Sequence, residues 1–377
     1  MEFDVVIIGA GIAGASAAYF ASRTRKVLLL ERESQPGYHT TGRSAALYTE
    51  NYGADIVSAL VRSSRPFLTA PPSGFTEHAI LTPLGLLTIA NATQSEAFEA
   101  EWQTAHRRVP AMERHGTDFA LARAPILNPE SVVACTWERD AADIDVHGLH
   151  QGYLRGLAAN GGALVTSAEV VKLERQGERW RVTTAKGQFF SAPNVVNAAG
   201  AWAEEIGQLA GAAKIGIQPR RRTAMLVDLP KEVDGAKLPM VSDVGHELYF
   251  RPNGGKLLVS PSDQTPVEPS DVQPEEIDVA IAIDRLETVT SLKVRHVARR
   301  WAGLRTFTPD EIPAAGWDKT LPGFYWLAGQ GGAGIKTSPA LGMLTAALLE
   351  GMPEPDALAR EGIRAAELSP ARFASAP

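Results

Sequence analysis

The sequence predicts a mixed α/β (α+β) fold: a parallel-sheet domain assembled from separated stretches of chain, with an antiparallel β-rich domain inserted into it. Two observations carry this. Buried-strand and small-residue helix patterns open the chain and return near its end, and short strands between Gly, Pro and Asn turns fill the middle. A chain of 377 residues is long enough for two domains, each with its own core.

Phe3 to Ile8 is rich in β-branched residues, as expected of a parallel strand buried on both faces. Ile12 to Ser22 is small and apolar and suits a helix packed closely on a sheet; Lys26 to Leu30 reads as a second buried strand. Ala79 to Ala90, Arg179 to Thr184 and Leu248 to Ser260 have the antiparallel signature. Pro261 to Gln273 is polar and proline-bearing, so a surface loop is expected there, followed by a helix over Glu275 to Leu286. Gly323 to Ala328 is again an apolar strand. Ser338 and Pro339 read as the N-cap and first-turn proline of a helix running to about Glu350, where Gly351 and Pro353 stop it. These patterns assign residues 1–78, 141–215 and 306–377 to the first domain and 79–140 and 216–305 to the inserted one.

Composition narrows the function classes. Hydrophobic residues make up 45% and charged residues 21%, an ordinary globular balance, and the net charge is −6. The densest basic run, Arg220-Arg221-Arg222, is flanked by Pro219 and apolar residues rather than forming a stripe, which argues against nucleic acid as a partner. Cys135 is the single cysteine, so no intrachain disulfide is possible and a reducing compartment fits; the thiol reads as buried and inert. Residues 5 to 22 are apolar enough to mimic a signal segment. Glu2, Asp4 and three interrupting glycines instead favour strand, turn and helix, and no other stretch could span a bilayer. A cytoplasmic protein is expected, with peripheral contact to the inner membrane left open.

The turn after the first strand is Gly9-Ala10-Gly11-Ile12-Ala13-Gly14, a G-x-G-x-x-G. Alone the motif is weak. Here it follows a strand, opens a helix, and precedes a second strand ending at Glu31, about 20 residues on, the spacing of a ribose-binding acid. Gly9 permits the tight turn, Gly11 lets the backbone approach a pyrophosphate, and Gly14 brings helix against strand. The helix N–H groups and dipole then face phosphates, and Glu31 accepts from ribose hydroxyls. A Rossmann-like dinucleotide site follows.

FAD is favoured over NAD. After Glu31-Arg32-Glu33 comes the polar glycine-rich loop Gly37 to Ser44 rather than the next helix of a Rossmann unit. The strand Asn194 to Asn197 runs into Ala198-Ala199-Gly200-Ala201-Trp202, and Gly329-Gln330-Gly331-Gly332-Ala333-Gly334 places glycines before the last long helix. Three such segments suit a long cofactor crossing the whole domain.

On these segments, with Asp143-Ile144-Asp145 through His150-Gln151-Gly152-Tyr153 and Trp301-Ala302-Gly303-Leu304-Arg305, the chain resembles the D-amino acid oxidase and sarcosine oxidase superfamily of FAD-dependent amine oxidoreductases. Within it, the chain is most similar to the bacterial D-arginine dehydrogenases. The resemblance implies a noncovalent FAD held by Gly9, Gly11, Ile12, Ala13, Gly14, Glu31, Arg32, Gly42, Arg43, Ser44, Ala45, Val170, Ala199, Gly200, Gly303, Gly331, Gly332, Gly334, Ile335, Lys336 and Thr337. It also implies that Arg222 and Arg305, with Tyr249 and Tyr52, hold a substrate carboxylate, and that the Gly332 carbonyl accepts from the substrate amine. A planar guanidinium matches a carboxylate bidentately, which supports those roles independently. Without the resemblance, Arg222 would read as a solvated arginine and Tyr249 as a sheet-core tyrosine.

Two positions depart from the arginine-preferring pattern: Leu47 stands where a histidine is expected and Leu86 where a glutamate is expected. Leu47, Leu86 and Met240 are therefore read as a pocket for apolar side chains, and D-amino acids bearing them as the substrates, oxidised by hydride transfer to an imino acid that hydrolyses. The electron acceptor stays open among a quinone, an electron-transfer protein and oxygen. Two alternatives remain: a glycine or sarcosine-type oxidase, and a flavin subunit of a larger assembly. Lys336 has two readings, a cation near the flavin pyrimidine edge or a first-turn lysine in solvent. Asp145 is expected to cap the helix beginning at Val146; His147 and His150 on its first turns are not read as metal ligands. Asp140 and Asp143 read as loop charges, and Trp301, Trp317 and Trp326 as core.

Overall fold

The computed structural model describes residues 2–373; Met1 and residues 374–377, the extremes of the assigned intervals, lie outside the described residues. Six strands from both ends and the middle of the chain form one sheet, in the spatial order Ala314–Trp317, Phe324–Ala328, Asn194–Asn197, Val5–Ile8, Val27–Leu30, Ala163–Val165. All neighbours are parallel except the first pair. The strand Val5–Ile8 is buried on both faces: Val5 and Ile7 enter one core, with the helices Ile12–Ala21 and Gly334–Leu349, while Val6 and Ile8 enter another, with Trp180, Phe190 and Ile206. Period-two alternation explains the split, and burial on both sides explains the unbroken apolar run.

The helix Gly334–Leu349 begins one turn before the expected Ser338-Pro339 start. Pro339 lies inside it, where it cannot donate to the carbonyl four residues back. The Ser338 hydroxyl donates to that carbonyl, Ile335 O, at 2.9 Å, which removes the penalty of an orphaned acceptor. The early start brings Gly334, Ile335 and Lys336 into the helix's first turn.

A second sheet of eight strands runs in the order Val297–Phe307, Gln218–Asp228, Lys256–Ser260, Tyr249–Asn253, Met240–Asp243, Leu86–Ala90, Ala134–Glu138, Glu113–His115. It is antiparallel except where Leu86–Ala90 meets Met240–Asp243. One face, with Leu87, Met225, Val241, Phe250 and Val259, is covered by the helix Glu276–Val289 through Val279, Ala282 and Leu286. The other carries Leu86, Ala224, Met240, Tyr249 and Leu258, joined by Leu47 and the half-buried Trp301. Because Arg222 pairs with Gly303 and Arg220 with Arg305, these arginines share that second face, whereas Arg221 points the opposite way.

Several expectations need correction. The segment Pro261 to Gln273 is not simply a surface loop: Asp263 is largely buried, with its carboxylate accepting from Thr223 N at 2.6 Å and Thr223 Oγ1 at 3.0 Å. Asp143 is not a loop charge either. It sits in the short strand Ala142–Ile144 and pairs with the buried Arg251. Asp140 is exposed, 3.3 Å from Arg65. Cys135, fully buried in Ala134–Glu138, has its thiol pKa pushed up to about 11 by burial. Asp145 caps the helix Val146–Ala159, accepting from Gly148 N at 2.8 Å. Among the described residues no three His, Cys, Asp or Glu converge as metal ligands, and no helix is long and apolar enough to cross a membrane.

Candidate active site and cofactor cleft

The glycine turn after Val5–Ile8 shapes one wall of a long cleft. Gly9 has φ +100°, and a Cβ there would stand 2.5 Å from Ala198 O, so only glycine fits. A Cβ on Gly14 would collide with Gly9 O, which is the close helix–strand approach expected of it. The Glu31 carboxylate, at the end of the next strand, accepts from Ala10 N and Glu33 N, both at 2.9 Å. Burial raises its pKa and these two bonds oppose the rise. His150 reaches across from its helix to Ala10 O at 2.9 Å, so it braces the same turn; burial lowers its pKa.

From this turn the cleft extends in two directions. One end is lined by Glu31, Arg32, Val170, Trp202 and Leu209, the other by Arg222, Ala224, Tyr249 and Arg305. Between them lie Gly11 to Ala13, Thr40, Thr41, Arg43 to Ala45, Ala199, Gly200, Gly303 and Gln330 to Gly332, with Gly334 and Ile335. Gly14 and Gly42 shape the surrounding backbone without lining the cleft. Lys336 and Thr337 are buried in the first turn of their helix and do not line it either; the Thr337 hydroxyl donates to Ala333 O at 3.0 Å. The solvent-facing reading of Lys336 is thereby overturned, since the residue is 3% exposed.

The far end concentrates positive charge. Arg222 Nε donates to Asp263 O at 2.8 Å, and burial, reinforced by Arg305 nearby, holds its pKa below the ordinary arginine value. Among the described residues neither Arg222 nor Arg305 forms an ion pair, whereas their neighbours do: Arg220 with Glu311, and Arg221 with Asp263, Glu275 and Asp278. The Arg222 guanidinium carbon lies 6.0 Å from the Tyr249 ring centroid. Tyr52 and Arg305 crowd Gly332, where a Cβ would collide with the Tyr52 hydroxyl and come within 3.0 Å of an Arg305 nitrogen. Leu47, Leu86 and Met240 pack in one apolar cluster with Tyr249 and Ala224 and, like Tyr52, stand behind the residues that line the cleft.

These residues fit a flavin dinucleotide. The first turn of Ile12–Ala21 offers N–H groups without intrahelical acceptors, glycines replace side chains along the wall, and the buried Gln330 Nε2 has no partner within the chain. Some cleft residues escaped sequence reasoning. Thr41 takes the Ile12 N–H at 2.9 Å and Thr40 donates to Leu304 O at 2.6 Å. Trp202 packs against Arg32, 4.7 Å from the guanidinium carbon to the ring centroid, and against His39. Their segments were legible, but which side chain turns inward was not. Asp263 had no signal at all, because its partner Thr223 is 40 residues away.

A parallel-sheet dinucleotide-type domain joined to an antiparallel sheet, with a long glycine-walled cleft, is the architecture of a flavoprotein oxidoreductase. The chain belongs to the DAO family of FAD-dependent oxidoreductases, whose profile matches residues 4–348. It is 26% identical to hydrogen cyanide synthase subunit HcnC of Pseudomonas aeruginosa, covering 91% of each chain. It is 24% identical to the glycine oxidase of Geobacillus kaustophilus, over 93% of each chain. The solved structure of glycine oxidase from that organism superposes with a TM-score of 0.83 at 21% identity, covering 98% of each chain. L-Proline dehydrogenase from P. horikoshii superposes with a TM-score of 0.81 at 21% identity, covering 99% of this chain and 98% of that one.

Proposed function

We propose that this protein oxidises D-amino acids with apolar side chains, using noncovalent FAD. One observation carries the reading: two guanidiniums without acidic partners, Arg222 and Arg305, stand at the end of the cleft beside an apolar cluster. A carboxylate is the natural partner of such a pair, and each charge-assisted bond contributes about 1.5–3 kcal/mol. Tyr249 and Tyr52 add hydroxyl donors, the Gly332 carbonyl accepts from the amine, and Leu47, Leu86 and Met240 receive the side chain.

When bound, FAD supplies the hydride acceptor. The chain's residues fix the carboxylate and amine so that the α-carbon is presented in one orientation. No side chain is required as a base if the amine binds neutral. The imino acid leaves and hydrolyses to a 2-oxo acid and ammonia. Noncovalent attachment is supported by Cys135, which is buried in the opposite core.

Anaerobic bleaching of the flavin with a panel of D- and L-amino acids tests the reading. D-leucine, D-methionine and D-phenylalanine should bleach it fastest, and faster bleaching by D-arginine or by L-isomers would overturn it. Similarity to glycine oxidase favours a second reading, an amine oxidase acting on glycine or sarcosine, which predicts hydrogen peroxide formation from those amines. Similarity to HcnC, named as a subunit, favours a third, in which the purified chain alone is inactive even with a dye acceptor.

A further inference from the structure

Lys336 is 3% exposed, yet its ammonium lies 3.7 Å from the centroid of the Tyr52 ring. Three parts of the fold meet there. The helix Gly334–Leu349 contributes Lys336, the strand Ala134–Glu138 contributes Glu138, and the segment following the short strand Leu47–Tyr48 contributes Tyr52. Glu138, also 3% exposed, accepts from Thr49 Oγ1 at 2.6 Å and from Glu50 N at 3.0 Å. The base of the Tyr52 segment is thus tied to a buried carboxylate, and its aromatic end rests on a buried ammonium.

Among the described residues the Lys336 ammonium makes no hydrogen bond or ion pair. The charged groups acting on it are Glu138, which attracts it, and Arg305, which repels it. Burying an ammonium this way is costly, and an apolar side chain would fill the space at less cost. The aromatic face is the compensating contact, and a desolvated cation over a ring binds it more strongly than an exposed one.

We propose that Lys336 is a positioning residue for the substrate carboxylate: its charge holds the Tyr52 ring and so fixes the Tyr52 hydroxyl over Gly332 and beside Arg305. The proposal rests on the carboxylate reading given above. Neither side chain is part of the cleft wall, but the Tyr52 hydroxyl reaches it at Gly332, which is, so Lys336 acts through Tyr52 rather than by touching substrate. Burial, with Arg305 adding to it and Glu138 opposing, brings the lysine pKa down to about 7. The hold therefore exists below neutrality and is lost as the ammonium deprotonates above it.

The test is binding of isobutyrate, an apolar carboxylate with no amine to titrate or oxidise, to the FAD-loaded enzyme by calorimetry from pH 6 to 9. Wild-type affinity should fall about tenfold across that range. Lys336→Met should bind about tenfold more weakly at pH 6 and show no such pH dependence. Lys336→Arg, whose charge does not titrate, should restore tight binding at pH 6 and keep it at pH 9. In a Tyr52→Phe background, Lys336→Met should add little, because the two residues act as one unit. Wild-type affinity that is flat with pH, or an undiminished Lys336→Met effect in the Tyr52→Phe background, overturns the proposal even if Lys336→Met folds poorly. Failure of the carboxylate reading looks different: isobutyrate then ignores Arg222→Met, and the proposal falls with it.

Discussion

Arg222 Nε donates to the backbone carbonyl of Asp263 at 2.8 Å, so a guanidinium on a sheet strand is aimed by a loop 41 residues away. The Asp263 carboxylate in turn grips Thr223, the next residue on the strand. Arg222→Met should lower kcat/KM for amino acid substrates about 10- to 100-fold, the worth of a lost charge-assisted contact. Asp263→Ala keeps the carbonyl but frees the loop, and should produce a smaller loss, expressed mainly in KM. Steady-state kinetics with D-leucine distinguish the two; an Arg222→Met enzyme with unchanged kcat/KM refutes the assignment.

The glycine turn should separate folding from cofactor binding. Gly9→Ala forces a side chain into φ +100° and against Ala198 O, so the variant should melt at lower temperature with or without FAD. Gly11→Ala meets only Thr41 Oγ1, at 3.3 Å, and should fold normally while binding FAD more weakly. The flavin absorbance per protein and the melting temperature of the apoprotein report the two effects independently.

Side-chain selectivity should be transferable at one position. Leu86 is half-buried beside Met240, its partner across the sheet. Leu86→Glu should move the kcat/KM ratio of D-arginine to D-leucine towards arginine by at least about tenfold, since a buried charge without a partner costs several kcal/mol. A ratio that does not move would place the substrate side chain elsewhere.

His150 ties stability to pH. Burial holds its pKa below the free-histidine value of about 6.5, so the unfolded chain binds a proton that the folded chain resists. Its contribution is present above pH of about 6.5 and is lost as pH falls below it. Melts of wild type and His150→Gln over pH 5 to 8 should show a shallower acid-side slope in the variant. Equal slopes would remove His150 as the cause.

What was legible in the sequence followed from local rules. The run Val5–Ile8, the spacing of Gly9, Gly11 and Gly14, and Glu31 one strand later are tied together by period and chain length. The strand–turn–helix unit could therefore be read without any distant contact. The last helix begins a turn before Ser338-Pro339, although that pair has the local chemistry of a helix start. The Ser338 hydroxyl's bond to Ile335 O makes it an interior pair instead.

By itself, then, the sequence determined the architecture, the dinucleotide turn and the family, since these depend on residue periodicity and on backbone angles that few residues tolerate. Only the tertiary structure decided which of Arg220, Arg221 and Arg222 faces the cleft, which loop aims it, and that Lys336 lies beneath Tyr52. Those relationships depend on strand register and on contacts between segments tens to hundreds of residues apart, and no local pattern in a single chain encodes them.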